Sequence, residues 1–219
     1  MDKAILFDLD GTLIDSSEGI IKSVKYALKH FGIVEDDNEK LGLFIGPPLR
    51  PSFMKYYGFT EEEAEEAVFQ YREYYRPIGL FECSLYPGVR ECLENIRSKG
   101  YRIGLASSKP EAFCKRIIEH LGLISLFDDI VGATEDGVIG TKEEVLNELL
   151  RRWSDISVDN MCLVGDTIYD VAGANKVNMK SVGVSFGFGN REEMLAAGAL
   201  RICDDMEELP GALDIIMNN

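Results

Sequence analysis

The sequence lacks the features that mark several large classes of protein. None of its apolar runs approaches the roughly 18 residues that cross a bilayer, and the short apolar start meets aspartates at positions 8 and 10, unlike a secretory signal. The five cysteines are scattered, odd in number and without a C-x-x-C pair, which argues against a disulfide framework and a zinc site. Only two histidines are present, so a histidine metal site is disfavoured too. We therefore expect a cytoplasmic protein with no membrane partner.

Positive charge is also scarce. Lysine and arginine total 23 against 38 acidic residues, which gives a formal net charge of −15. Such a surface repels nucleic acid polymers and anionic membranes. It would also repel an anionic substrate, so any phosphate chemistry needs a local source of positive charge. The length of 219 residues fits one domain, or one domain with an insertion, in a monomer or a small homo-oligomer.

Strand and helix patterns alternate along most of the chain. Apolar runs that predict strands lie at 4–7, 102–106, 130–131, 161–164 and 181–184, with helical patterns between them. This alternation is typical of an α/β fold, a Rossmann-like three-layer core with a parallel sheet between helices. Residues 15–85 differ, because their patterns are helical throughout. We expect them to form a helical cap domain inserted into a core domain of residues 1–14 and 86–219.

Polar residues follow several of the predicted strands. Asp8-Leu9-Asp10-Gly11-Thr12 follows the first strand, Ser107-Ser108-Lys109-Pro110 the second, and Gly165-Asp166 the strand at 161–164, with Asp170 four residues on. Lys142 opens a predicted helix. The carboxyl ends of parallel strands meet at one edge of the sheet, so these groups are expected to converge.

The converging charges do not balance. Four aspartates and one lysine leave a formal charge of −3. Either some of the carboxylates are protonated or a divalent cation lies among them. Oxygen donors without histidine or cysteine favour Mg²⁺.

This constellation resembles the haloacid dehalogenase superfamily of phosphatases, in particular its phosphoglycolate phosphatase and 5′-nucleotidase-like branch. Asp8-x-Asp10-Gly11-Thr12 and Gly165-Asp166-x-x-x-Asp170 carry the resemblance, and Ser107 and Lys142 are assigned by order and context. Gly46-Pro47-Pro48-Leu49 and Ser108-Lys109-Pro110 are similar to segments of that branch. The resemblance implies Mg²⁺-dependent hydrolysis of a small phosphorylated metabolite, a phosphomonoester, through an aspartyl phosphate.

The resemblance also implies a role for each residue. Asp8 is the expected nucleophile and Asp10 the general acid and base. Asp8, the backbone carbonyl of Asp10, and Asp166 are expected to hold Mg²⁺, with Asp170 completing the site directly or through water. Ser107 and Lys142 are expected to bind the phosphoryl group. Further expected contacts with the phosphate or the substrate are Gly11, Thr12, Ser108, Lys109 and Arg50.

Several alternatives stay open for single residues. Asp166 and Asp170 also fit a helix N-cap and a solvated helix carboxylate, and Ser108 competes with Ser107 for its role. Lys142 fits a surface lysine, although Thr141 and Glu144 form a capping box that puts it in the first helical turn, where the helix dipole disfavours a cation. The tyrosines at 71, 74 and 75 fit core positions better than substrate contacts.

Other motifs and functions fit the sequence less well. A calcium loop starting at Asp8 is disfavoured, because its sixth position is Leu13 instead of glycine. Gly183-x-Ser185-x-Gly187 matches a hydrolase elbow, but both histidines precede it. One alternative function is a phosphosugar mutase similar to β-phosphoglucomutase. Another is a binding or regulatory protein on an inactive scaffold, which the presence of all four motifs disfavours.

Overall fold

A computed structural model describes residues 2–134, 136 and 138–218. The strands are β1 (Ala4–Phe7), β2 (Ile14–Asp15), β3 (Ser84–Leu85), β4 (Arg102–Pro110), β5 (Asp129–Ala133), β6 (Met161–Gly165), β7 (Lys180–Val184) and β8 (Ile202–Cys203). The helices are α1 (Ser17–His30), α2 (Asn38–Gly42), α3 (Leu49–Tyr57), α4 (Glu61–Tyr75), α5 (Val89–Ser98), α6 (Glu111–His120), α7 (Lys142–Arg152), α8 (Ile168–Lys176), α9 (Arg191–Ala197) and α10 (Leu209–Asn218). In this part of the chain, no helix is both long and apolar enough to cross a membrane.

The centre of the fold is a six-stranded sheet in the order β5-β4-β1-β6-β7-β8, and its pairings are parallel. All four residues of β1 are apolar and buried, as expected for a central strand covered on both faces. Phe7 lies level with Leu105 of β4 and Val164 of β6. The residues that follow these three strands therefore meet at one edge, which confirms the predicted α/β class.

The chain divides into two compact units. Unit 1 runs to Ile14 and resumes at Leu85, and it holds the six-stranded sheet. Unit 2 is Asp15–Ser84 and contains α1–α4. The predicted helical insertion after the first strand is therefore confirmed.

Unit 2 has an apolar core of its own. Gly19 in α1 lies so close to the turn after α4 that an added Cβ would come within 1.9 Å of the Gly79 oxygen. The rings of Tyr71 and Tyr75 stack with their centroids 5.2 Å apart, and both residues are buried. These two tyrosines are thus core residues, as their helical spacing indicated.

The structure differs from the predicted elements in two places that periodicity could not show. Strand β4 continues four residues beyond Ala106, to Pro110, and its register against β5 shifts between Ser107 and Pro110. Strands β2 and β3 pair with each other, but each has only two residues. A two-residue strand carries no detectable alternation of polar and apolar positions.

Candidate active site

Asp8 lies directly after the central strand and is bound to a buried lysine. Its backbone N–H donates to the Val164 carbonyl at 2.9 Å, so the ladder to β6 holds its position. Its Oδ1 accepts a hydrogen bond from Lys142 Nζ at 2.7 Å. The same ammonium group donates to the Ala106 carbonyl at 2.7 Å and lies 2.9 Å from Asp170 Oδ1. One buried charge therefore links β1, β4 and α8.

Lys142 reaches Asp8 from the first turn of α7. Thr141 and Glu144 form the predicted capping box, which fixes Lys142 as the first helical residue. Gly173 of α8 makes room for its stem, since an added Cβ would lie 2.6 Å from Lys142 Cγ. Burial lowers the pKa of Lys142, but the charges of Asp170 and Asp8 outweigh burial, so its pKa is raised. Lys142 is thus a buried, permanently charged lysine, and the surface alternative is wrong.

Asp166 is fully buried after β6, and the hydrogen-bond partners found for it in the described part of the chain are uncharged. Its Oδ2 accepts the backbone N–H of Phe188 at 2.8 Å, and its Oδ1 accepts the Thr12 hydroxyl at 3.4 Å. Burial, followed by the charges of Asp8 and Asp170, raises the pKa of Asp166 to about 8. Among the residues that the structure describes, Asp166 forms no ion pair with a lysine, arginine or histidine. A buried carboxylate without a cationic partner is unfavourable, so Asp166 either keeps its proton or binds a cation.

Asp170 lies in the first turn of α8 and has both oxygens occupied by the protein. Oδ2 accepts the backbone N–H of Thr167 at 3.0 Å and its hydroxyl at 2.7 Å, while Oδ1 pairs with Lys142. The N-cap of α8 is Thr167, and Asp170 is 3% exposed. The alternative in which Asp166 caps the helix and Asp170 is solvated is therefore wrong.

Three of the four predicted aspartates form a cluster that could bind a metal ion. Asp8, Asp166 and Asp170 each offer an oxygen, and these oxygens lie within 4.8 Å of one another. Burial raises the pKa of Asp8 to about 6, although Lys142 opposes this effect. Carboxylate oxygens are the donors that Mg²⁺ prefers, so the donor chemistry of the cluster fits Mg²⁺.

The carboxylate of Asp10 lies outside that cluster and has its own lysine. Lys109 Nζ donates to Asp10 Oδ1 at 2.7 Å, and the Lys109 side chain is only 10% exposed. The sequence predicts a substrate contact for Lys109 and gives no sign of this ion pair. With two lysines against four aspartates, the formal charge of the site without a metal ion is −2.

The irregular end of β4 positions Lys109. The register shift after Ser107 brings the Lys109 backbone against Gly132 of β5, where an added Cβ would lie 2.5 Å from the Lys109 oxygen. Ser107 is buried, and its Oγ accepts the Lys109 backbone N–H at 3.3 Å. Ser108 is exposed. Of the two serines, Ser107 is thus the one enclosed with the charged groups.

Two glycines let the backbone approach Asp166. Gly11 has a φ of +81°, and an added Cβ would lie 2.0 Å from Asp166 Oδ2. An added Cβ on Gly187 would lie 2.5 Å from the same oxygen and 2.3 Å from the Gly11 carbonyl. The sequence predicts a phosphate or substrate contact for Gly11. For residues 183–187 it disfavours a hydrolase elbow and indicates no other role. The available signal was the repeated glycine in Phe186-Gly187-Phe188-Gly189.

Arg50, the predicted substrate contact in the insertion, lies in unit 2 and is bound to acidic residues there. Its guanidinium group lies 3.2 Å from Glu61 and 3.4 Å from Glu65, and its side chain is 44% exposed. Its role toward a substrate stays a prediction.

Comparisons with known proteins point in the same direction as this geometry. A family model for haloacid dehalogenase-like hydrolases matches residues 5–184. A 5′-nucleotidase of Pseudomonas aeruginosa is 40% identical over 96% of this chain and 95% of its own length. A phosphoglycolate phosphatase of Rhodospirillum rubrum is 29% identical over 95% of this chain and 90% of its own length. The crystal structure of a predicted phosphatase from Clostridium acetobutylicum is 44% identical, has a TM-score of 0.89, and covers 98% of this chain and all of its own.

Proposed function

The chain belongs to the haloacid dehalogenase-like hydrolases, among the phosphatases of that family, and on this premise we propose that it hydrolyses a small phosphomonoester with Mg²⁺ through an aspartyl phosphate. The observation that carries the proposal is the position of Asp8. This carboxylate stands at the end of the central strand, beside a buried ammonium group and next to an aspartate that has no cationic partner among the ion pairs of the described chain. That is the arrangement that a nucleophile for an anionic phosphorus centre requires.

Asp8 and Asp10 divide the reaction into two displacements. In the first, an Asp8 oxygen attacks phosphorus, the ester bond breaks, and the leaving alcohol takes a proton from Asp10. In the second, a water attacks the phosphorus of the aspartyl phosphate and gives its proton to Asp10, so phosphate leaves and both aspartates return to their starting states. A pKa of about 6 leaves Asp8 mostly ionised, and hence nucleophilic, at neutral pH.

The lysines and Ser107 hold the reacting groups in place. Lys142 fixes one Asp8 oxygen and supplies positive charge where the phosphoryl oxygens gather. Lys109 holds Asp10 through a 2.7 Å ion pair. Ser107, which is buried and accepts the Lys109 backbone N–H, would donate its hydroxyl to a phosphoryl oxygen.

Asp8, Asp166 and the backbone carbonyl of Asp10 would hold Mg²⁺, with Asp170 completing the site directly or through water. Asp170 would also be held in place by Lys142 and Thr167. When bound, the ion would offset the charge of the phosphoryl group next to the Asp8 carboxylate.

For the substrate, we infer a nucleoside 5′-monophosphate, with phosphoglycolate as the competing candidate. The 5′-nucleotidase relative shares 40% of its residues with this chain, and the phosphoglycolate phosphatase relative shares 29%. Both substrates are small phosphomonoesters and would use the same carboxylate pair.

The proposal is tested by measuring phosphate release from AMP, phosphoglycolate and other phosphomonoesters, with Mg²⁺ and with EDTA. Wild-type protein should release phosphate only with the metal. Asp8→Asn should reduce turnover by more than about 1,000-fold, whereas Asp159→Asn, at an exposed aspartate, should leave it unchanged. Wild-type turnover by Asp8→Asn would exclude Asp8 as the nucleophile. Interconversion of sugar phosphates without net phosphate release would show the mutase alternative to be correct.

A further inference from the structure

The loop Ser185–Gly189, which follows β7, brings an exposed aromatic ring to the carboxylate cluster. The sequence there alternates aromatic residues with glycine, as Phe186-Gly187-Phe188-Gly189. Phe186 packs against Tyr86 with ring centroids 4.8 Å apart, so one aromatic residue anchors the loop. Phe188 is instead 39% exposed. The two phenylalanines therefore have different surroundings, and only the first is explained by packing.

Gly187 and Gly189 allow the backbone of this loop to lie against Asp166. An added Cβ on Gly189 would lie 1.9 Å from the Asp166 carbonyl, and one on Gly187 would lie 2.4 Å from Asp166 Cβ. No side chain other than hydrogen fits at either position. The backbone N–H of Phe188, between them, donates to Asp166 Oδ2 at 2.8 Å. The position of residue 188 is thus fixed by its backbone and does not depend on its ring.

The ring itself lies beside the turn that carries Asp10. An added Cβ on Gly11 would lie 2.8 Å from Phe188 Cδ2, so the edge of the ring contacts the residue directly after the candidate acid. Burying an aromatic ring is favourable, and a well-packed protein usually does so. Here the ring is left partly exposed beside Gly11, the residue that follows Asp10. A partly exposed aromatic ring can stack against a planar ring of a ligand.

We propose that Phe188 determines specificity by stacking against the base of a nucleoside 5′-monophosphate, which deepens the proposed function and rests on it. The phosphate lies at Asp8 and the sugar oxygen at Asp10, so the rest of the leaving group extends past the Gly11 turn, where the ring stands. A substrate without a planar ring, such as phosphoglycolate, gains nothing from this contact. Phe188 is not a catalytic residue, and the chemistry at Asp8 does not require its ring.

The test compares AMP with ribose 5-phosphate, in which a hydroxyl replaces the base. Steady-state kinetics with saturating Mg²⁺ are measured for wild type, Phe188→Ala, Phe188→Tyr and Leu200→Ala. Leu200 is an exposed apolar residue of the same unit, bonded through its backbone to Ser181 at the other end of β7, and serves as the matched control. All variants keep the backbone N–H at position 188.

Phe188→Ala should lower kcat/KM for AMP by about three- to tenfold, mainly through KM, the size expected for one aromatic contact. It should leave kcat/KM for ribose 5-phosphate and the Mg²⁺ requirement within about twofold of wild type. Phe188→Tyr should restore the AMP value, and Leu200→Ala should change neither substrate. An equal loss for both substrates would mean a structural or metal-positioning role and would overturn the proposal, as would unchanged kinetics for AMP. If wild-type protein released phosphate from neither substrate nor from any other ester, the proposed function itself would fail.

Discussion

Replacing Asp166 with asparagine should make the metal-free protein more stable, although it should destroy metal binding. Asp166 is fully buried and has uncharged partners, the Phe188 N–H and the Thr12 hydroxyl. Burial raises its pKa from 3.8 to about 8. The Asp166 carboxyl group therefore binds its proton more tightly in the folded state than in the unfolded state. As pH rises from about 4 to about 8, the unfolded chain releases the proton and the folded chain does not, so folding loses stability across that window.

The size of the effect follows from the same numbers. At about 1.4 kcal/mol for each tenfold change in the proton equilibrium, a rise from 3.8 to about 8 sets an upper limit of about 6 kcal/mol. Asparagine loses part of the hydrogen bonding to Phe188, and buried sites relax around a charge. We therefore expect Asp166→Asn to raise the free energy of unfolding by about 1–3 kcal/mol at pH 8. In a chain of this length, that corresponds to a rise in Tm of roughly 2–12 °C.

The assay is urea unfolding in EDTA at several pH values between 4.5 and 8.5, repeated with 10 mM Mg²⁺. The difference between Asp166→Asn and wild type should be near zero at the acidic end and should grow toward pH 8. With Mg²⁺, wild type should gain roughly 1–3 kcal/mol and the variant almost nothing. Asp159→Asn controls for the removal of one negative charge from an acidic chain and should change stability by less than about 0.5 kcal/mol. If Asp166→Asn in EDTA were as stable as wild type or less stable at pH 8, burial of the Asp166 carboxyl group would not destabilise the metal-free protein, and the reasoning would be wrong.

Three further predictions concern the charge balance of the same site. Lys142→Met leaves Asp8 without its buried partner and should cost about 3–5 kcal/mol in unfolding free energy; a loss below about 1 kcal/mol in urea unfolding would contradict this. Gly187→Ala places a Cβ 2.5 Å from Asp166 Oδ2 and should weaken Mg²⁺ binding by about 10- to 100-fold in calorimetric titration, whereas Gly211→Ala, with open space around it, should bind Mg²⁺ as wild type does. Because the pKa of Asp166 is about 8 and that of Asp8 about 6, protons compete with the metal. Mg²⁺ affinity should therefore fall about tenfold per pH unit below pH 8 and more steeply below pH 6; an affinity independent of pH between 6 and 8 would refute the competition.

The sequence was sufficient to predict which strand ends meet. Strand β1 is an uninterrupted buried run followed at once by Asp8, and β6 has the same form before Asp166. Both patterns are local. Because the carboxyl ends of parallel strands lie at one edge of a sheet, they predict that Asp8 and Asp166 meet. The capping box at Thr141 likewise fixed the helical position of Lys142. For these groups, local sequence and general topology contain all the information needed.

The partners of Asp10 and Asp166 could not be predicted in that way. The pairing of Lys109 with Asp10 depends on a register shift in β4 and on close contact with Gly132, which is distant in sequence. The contact of Phe188 with Asp166 depends on glycines whose role appears only when two loops touch. Such contacts arise from tertiary packing and produce no periodic pattern of residues in the sequence.

The charges also explain how an acidic protein can use an anionic substrate. A net charge of −15 is spread over the surface, and salt screens it beyond about 8–10 Å. At the site itself the formal charge is −2 from four aspartates and two lysines. If the proposed Mg²⁺ binds, the formal charge becomes zero, and the proposed phosphomonoester would then meet a locally neutral site. Under the proposed function, the extra negative charge at Asp166 would make substrate binding depend on the metal.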